Sequence, residues 1–347
     1  KNYCTYAEYH KCRHSNTNTI TMKHFIDIFA ALNESLSTFG QEARSNTVIE
    51  NAIAENAWFT RSDIMRAVDA IRQEMLNRDK LTEWLSHYPA APTQSPRRVA
   101  VIMAGNIPLV GFFDLLAVIA AGHKCYVKPS SKDKVLMSYV IELLRDIEPS
   151  IEIFDYSAEE TYDMAIATGG DSANKYFREH FSSTQTLLRG SRHSVAILDG
   201  MESHEELQGL YNDITAYSGL GCRSVSMLFV PRGYVPCMKP HEADNIKLQH
   251  NIRATKALLS INGSKFYDMG AFLMVHGDRF SESLALVTLK EYRNIEEVKA
   301  WLEDNHEHVQ CVVSHMAIER SVAFAEAQYP TLMDYADGVD TMRFLLD

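Results

Sequence analysis

At 347 residues, with 46% hydrophobic and 23% charged content, the chain has room for two domains and a sizeable buried core. A formal net charge of −11 argues against a nucleic-acid or anionic-membrane surface. The six cysteines are scattered without a CxxC, which reads as reduced thiols in a cytoplasm. No stretch reaches the ~18 uninterrupted apolar residues of a membrane span, and a cytoplasmic enzyme without a signal peptide is expected.

Residues 1–21 are polar, rich in Asn, Thr, Lys and His, and read as a loosely ordered tail. Cys4, His10, Cys12 and His14 fall within it, but their spacing fits no usual zinc finger, so no metal is expected. From Lys23 to Leu85 apolar residues return at helical spacing, among them Phe25, Ile28, Phe29, Ile64, Ala67, Val68 and Ile71. That pattern predicts a helical N-terminal region, closed by the proline-rich linker Pro89 to Pro96. Strands are then predicted at 98–103, 124–128, 151–154, 164–167, 187–188 and 195–198, with helices at 109–121, 133–146 and 171–180. Such alternation implies a parallel sheet covered on both faces, with ligands outside the carboxyl ends of its strands. A second α/β pattern has strands at 225–230, 271–275, 284–290 and 309–314 and helices at 245–259, 295–304 and 315–327. The expected division is a tail (1–21), a helical region with a cofactor domain (22–200) and a catalytic domain (201–347), with the boundary near Gly200.

The stretch Tyr217 to Ser226 concentrates the chemistry. Glycines at 219 and 221 permit backbone shapes and close approaches that a Cβ forbids, and Cys222 follows them just before the apolar run Val225 to Val230. A thiol on such a bend suits nucleophilic catalysis, with backbone N–H groups able to face a reacting oxygen. Asn106, Lys128 and the pair Gly169–Gly170 all lie at strand carboxyl ends, where one pocket collects them. Asn106 by itself reads as well as a helix cap, and Lys128 as a solvated strand end.

Four loops in order resemble the aldehyde dehydrogenase superfamily, and most of all its LuxC-type fatty acyl-CoA reductases, over roughly residues 98 to 320. Met103-Ala104-Gly105-Asn106-Ile107-Pro108 resembles the segment whose Asn donates to the oxyanion. Ala121 to Ser130 resembles the strand whose Lys, here Lys128, holds the adenosine ribose, followed by Pro129, Ser130 and Ser131. Thr168-Gly169-Gly170 resembles the turn beside the cofactor pyrophosphate, and Gly219-Leu220-Gly221-Cys222 the nucleophile segment. Ala104 to Phe112, Leu188 to Ser194 and Gly221 to Ser226 are similar to the LuxC type in particular. The resemblance implies an aldehyde-dehydrogenase-like fold, with a Rossmann-type cofactor domain and an α/β catalytic domain. It also implies a nicotinamide cofactor, coenzyme A as substrate or product, association of subunits, and an acyl-donor protein as a partner. The implied reaction is reduction of an acyl-CoA thioester to the aldehyde through an acyl group carried on Cys222.

Two departures from the wider superfamily carry physical meaning. Leu188 stands where hydrolytic members have a general-base Glu, and a leucine cannot take a proton from water. Ser131 stands where a carboxylate would meet the adenosine ribose, with Lys132 and Lys134 near it, so NADPH is expected over NADH. Arg223, beside the nucleophile, is expected to meet either a coenzyme A phosphate or a neighbouring carboxylate. Asp213 and Glu205 read as solvent-facing, Cys125, Cys237 and Cys311 as core thiols, and Glu282 is loosely placed at the family's ribose-binding position. Two rival functions remain on these residues alone: a phosphorylating semialdehyde reductase acting on an acyl phosphate, and a redox-silent acyl-thioester transferase.

Overall fold

The structure, a computed structural model, describes residues 22–89 and 95–347. The expected tail, its Cys and His residues, and positions 90–94 of the linker lie outside the described residues. The first helices are α1 (Met22–Ser35), α2 (Ala43–Glu55), α3 (Arg61–Ala70) and α4 (Arg78–Ser86), with a π-turn at Ile71–Met75 between the last two. Thr60 caps α3 and Asn77 caps α4 with side-chain oxygens, which satisfies N–H groups that a helix start leaves open.

Next come β1 (Arg98–Ile102), α5 (Phe112–Ala120), β2 (Lys124–Lys128), α6 (Lys134–Ile147), β3 (Ile153–Asp155), β4 (Met164–Thr168), α7 (Asp171–His180) and β5 (Gln185–Arg189). Their strands form a five-stranded sheet in the order β3-β2-β1-β4-β5, parallel throughout. One face packs against α1 to α6 in a large apolar core built on Phe25, Phe29, Trp84, Val99, Val101 and Leu115. The opposite face is built from small side chains, Ala100, Ala165 and Ala167, flanked by Tyr162, Phe181 and Leu188. The helix expected from Leu109 begins only at Phe112, because Leu109 turns back with φ at 56°.

The chain crosses to the second sheet between Arg189 and β6 (His193–Ile197), so the strand expected at 195–198 already belongs to that sheet, ahead of Gly200. There follow α8 (His204–Thr215), β7 (Val225–Pro231), α9 (Ile246–Ile261), β8 (Tyr267–Asp268), β9 (Leu273–His276), β10 (Leu286–Tyr292), α10 (Ile295–Asp304), β11 (Val309–Val313), β12 (Ser321–Val322) and α11 (Thr341–Leu346). The sheet order is β12-β11-β6-β7-β10-β9-β8, with only β8 antiparallel to its neighbour. The capping box of Ser203 and Glu206 starts α8, the helix that leads towards Cys222.

The helix expected at 315–327 does not form. The segment is a strap of turns around β12, and its backbone N–H groups go elsewhere: those of Ala325 and Ala327 to the Asp213 carboxylate. This also corrects the reading of Asp213, which is buried rather than solvent-facing, whereas Glu205 is exposed. Cys125 and Cys311 are core thiols as expected, but Cys237 is exposed. Among the described residues no helix is long and apolar enough to cross a membrane.

Candidate active site

In the first sheet the chain runs outward from β1 through β2 to β3, then returns to add β4 and β5 on the other side. The crevice between β1 and β4 is therefore the switch point where such sheets bind ligands. The loop carrying Asn106 leaves β1 there, and Thr168, Gly169 and Gly170 leave β4. The nucleophile segment approaches from the other sheet, ahead of the first residue of β7. Cys222 thus sits where the carboxyl edge of one sheet meets the amino edge of the next.

The bend before Cys222 is built from left-handed backbone. Tyr217, Ser218 and Gly219 have φ of 54°, 57° and 74°, a conformation that disfavours the first two. A buried carboxylate holds it: Asp63, in the first turn of α3, accepts the Tyr217 N–H at 2.9 Å. Burial pushes the Asp63 carboxyl above its ordinary value, and bonds from Thr60 and Tyr217 oppose that rise. Beyond the bend, the Ser224 N–H donates to the Gly221 carbonyl at 3.0 Å, which turns the chain into β7.

Asn106 reaches this loop directly. Its side-chain amide donates to the Leu220 carbonyl at 2.6 Å, and Ile107 packs so that a Cβ on Gly221 would lie 3.7 Å from it. A side-chain amide has two N–H groups, and one of them holds Leu220. The Asn106 loop has its own buried anchor, Asp133, which accepts the Leu109 N–H at 2.9 Å and whose other oxygen, Oδ1, is buried without a partner.

Cys222 is partly buried. Burial pushes its thiol above the ordinary value; the charge of Arg223, the Cys222 N–H and the charge of Arg189 pull the other way, while Asp337 adds to the rise. Ser194, fully buried at the start of β6, donates its hydroxyl to the Cys222 carbonyl at 2.8 Å and fixes the peptide after Cys222. Sequence reasoning gave Ser194 no role, although it closes the segment Leu188 to Ser194 that carries the LuxC resemblance. Arg223 forms no direct ion pair with a carboxylate among the described residues: its guanidinium donates to the Ala327 carbonyl at 2.5 Å and to the Cys311 sulfur at 3.5 Å.

Leu188 faces the alanine-lined side of the first sheet, next to Ala167 across the β4–β5 pair. Its neighbour Arg189 points the other way and is 5% exposed. There it bonds Asp114 of α5 at 2.6 Å and Thr341 of α11 at 2.7 Å, a buried ion pair that sequence reasoning missed because its members lie far apart in the chain. Glu282 is exposed at the rim of a 210 Å³ cavity behind the Tyr217–Gly219 bend, shared with His193 and Ser218.

The cofactor candidates cluster at the β1, β2 and β4 ends. Gly105 lies so close to the next loop that a Cβ there would meet the Ser130 Cβ at 2.5 Å. A Cβ on Gly169 would meet Ala173 at 2.7 Å, so both glycines are needed for loops to approach closely. Gly170 is the residue before α7, and the Asn174 Oδ1 atom in its first turn is buried without a partner. Lys128 is exposed with its ammonium 5.6 Å from the centre of the Tyr156 ring, and Pro129, Ser130 and the exposed Ser131 follow it. A shallow alanine-floored face, two glycine loops at a switch point and an unpartnered acceptor fit a dinucleotide with hydroxyl donors. Asp199, Glu202 and His315 also bring ligand atoms within 4.8 Å of one another. Here His315 is engaged on both nitrogens, by Asp199 at 3.1 Å and by Glu206 at 2.7 Å.

A family model described as acyl-CoA reductase (LuxC) matches residues 38–245. The chain is similar to long-chain acyl-protein thioester reductase 2 of Photobacterium leiognathi, 26% identical over 180 residues, which are 46% of this chain and 38% of that one. It is likewise similar to long-chain acyl-protein thioester reductase of Vibrio harveyi, 23% identical over 267 residues, 71% of this chain and 55% of the relative. The alignments thus cover 38% and 55% of the length of these two curated relatives. Among solved structures, an oxidoreductase from Marinobacter aquaeolei superposes with a TM-score of 0.60 at 13% identity, over 87% of this chain and 75% of that one. The NAD+ complex of an aldehyde dehydrogenase from Bacillus cereus gives 0.58 at 14% identity, over 88% and 74%. At such identities the likeness is one of fold, and the fold is that of the aldehyde dehydrogenases.

Proposed function

Since the chain belongs to the acyl-CoA reductase (LuxC) family, we propose that it reduces a fatty acyl thioester to the aldehyde with NADPH, through an acyl group carried on Cys222. The observation that carries this reading is the 2.6 Å bond from the Asn106 amide to the Leu220 carbonyl, which sets a side-chain donor two residues from a cysteine on a glycine bend. Coenzyme A is the thiol carrier in this reading. The relatives are long-chain acyl-protein thioester reductases, and this favours a protein-bound acyl group as the second source.

In the proposed reaction the Cys222 sulfur attacks the thioester carbonyl, its proton leaves with the departing carrier thiol, and the acyl group passes to Cys222. The Cys222 N–H and the second Asn106 N–H stabilise the negative oxygen of the tetrahedral state. Lys128, Ser130, Ser131 and the turn Thr168–Gly170 would hold the dinucleotide, and the chemistry it supplies when bound is hydride to the acyl carbon. Cys222 is then regenerated as the aldehyde leaves, with the same two N–H groups serving the oxygen in that direction. The test is loss of NADPH absorbance with a chain-length series of acyl-CoAs, against acyl phosphates and acyl-carrier thioesters. Carrier release without NADPH consumption identifies a transferase instead, and turnover of acyl phosphate alone a phosphorylating reductase.

Two expected results refine the reading. Ser131→Glu shifts the ratio of kcat/KM from NADPH towards NADH, because a carboxylate repels a 2′-phosphate and accepts from a 2′-hydroxyl. An unchanged ratio places the adenosine ribose elsewhere. With Leu188 in an apolar patch, no base activates water there, and a general base typically contributes about 10²–10⁴-fold. Aldehyde, NADP and coenzyme A together therefore yield acyl-CoA, while omission of coenzyme A leaves almost no free acid. Mass analysis of the products decides, and free acid formed at the coenzyme A-dependent rate removes the argument.

A further inference from the structure

The nucleophile is followed at once by a cation whose position depends on a distant segment. Arg223 is held by the carbonyl of Ala327, in the turn 324–328. That turn is unfavourable by itself, since Ala325 has φ at 73°. Two features of α8 keep it in place. Asp213, 1% exposed in the last turn of the helix, accepts the Ala325 N–H at 2.8 Å and the Ala327 N–H at 3.2 Å. One turn earlier, Gly209 lets the strap lie against the helix, because a Cβ there would stand 3.0 Å from the Ala325 nitrogen. Gln328 ties both ends together, donating to the Asp213 carbonyl at 3.4 Å and to the Arg223 carbonyl at 3.2 Å. The loop of contacts from Asp213 through the strap to Arg223 encloses the bend that carries Cys222, and the proposed reaction gives Asp213 no part.

We propose that Asp213 is a positioning residue for Cys222: it holds the 324–328 strap, the Ala327 carbonyl fixes Arg223, and Arg223, the next residue in the chain, favours ionisation of the Cys222 sulfur. A cation near a thiol favours the thiolate, and Arg223 acts on Cys222 in that direction. Burial raises the Asp213 carboxyl to about 7, opposed by the Ala325 and Ala327 N–H groups and then by the guanidinium groups of Arg223 and Arg66, which favour its ionised form. The inference rests on the reading of Cys222 as nucleophile but needs neither acyl substrate nor cofactor to be tested.

The experiment follows alkylation of Cys222 by iodoacetamide from pH 6 to 10, quantified by mass on the peptide containing residue 222. The native protein is compared with Asp213→Asn, Arg223→Ala and Arg223→Lys. Asp213→Asn and Arg223→Ala are expected to move the profile upward, slowing alkylation at pH 7 about 3–10-fold, since one pH unit is tenfold in thiolate. Arg223→Lys, which keeps the charge, recovers most of the rate. A folded Asp213→Asn protein with lowered Tm and an unchanged profile overturns the proposal, leaving Asp213 a support for the strap alone. Should Asp213→Asn fail to fold, Arg223→Ala decides, and an unchanged profile there overturns it equally. A native profile that shifts as stated in the variants, in a protein that never consumes NADPH with acyl thioesters, keeps this inference and removes the reductase reading.

Discussion

Cys222→Ala is expected to abolish carrier-thiol release and NADPH oxidation together, a loss on the order of 10⁶-fold, as when the nucleophile is taken from a covalent mechanism. Cofactor binding should survive, because the dinucleotide candidates lie on the other sheet, at the ends of β1, β2 and β4. Isothermal titration with NADPH alongside stopped-flow turnover separates the two. Among the described cysteines, burial pushes the Cys311 thiol up to about 11, and Cys125 is fully buried in the core of the first sheet. Turnover by the mutant at the native rate would end the covalent reading. The pH dependence has a definite sign. The Cys222 thiol is raised, so it is protonated at neutral pH, and acylation should climb about tenfold per pH unit from pH 6 to 8 as the thiolate grows.

Asn106→Ala should cost about 10²–10³-fold in kcat, the usual loss for one oxyanion donor. The same substitution deletes the bond to the Leu220 carbonyl, so a stability change of about 1 kcal/mol accompanies it. The two effects are distinguished by what remains. If the surviving enzyme turns over at the native rate while Tm falls, Asn106 only holds the nucleophile loop. A large fall in kcat at nearly constant Tm assigns it to the reacting oxygen.

The nucleophile bend and both sheets could be read in the chain because their signals are local. Gly219, Gly221 and the apolar run after Cys222 lie within a dozen residues, and strand runs and turn glycines alternate at short intervals in the first sheet. What could not be read depends on partners far along the chain. Residues 315–327 have helical spacing of apolar groups, yet Asp213, 112 residues before Ala325, takes the N–H that a helix would need. The same bond explains why an acidic residue in an ordinary helical position is buried. Arg189 looked like part of a loop motif until Asp114 and Thr341 enclosed it from two other elements. Cys237, placed near an apolar run, is exposed between two buried neighbours, Pro236 and Met238, in the irregular segment that follows β7.

The contacts around the nucleophile also bear on the order in which the protein can become reactive as it folds. Asn106 and Leu220 are 114 residues apart, Tyr217 and Asp63 154, Arg223 and Ala327 104. Closing loops of that length is slow compared with forming the individual helices α1 to α4, whose internal hydrogen bonds are local. During synthesis the strap that fixes Arg223 emerges after the cysteine it serves, so the thiol is made long before its surroundings. Until the 324–328 strap has docked, Arg223 lacks the Ala327 carbonyl that holds it. On the proposed reading, the chemistry at Cys222 waits for the strap to close, and a partly folded chain does not acylate itself.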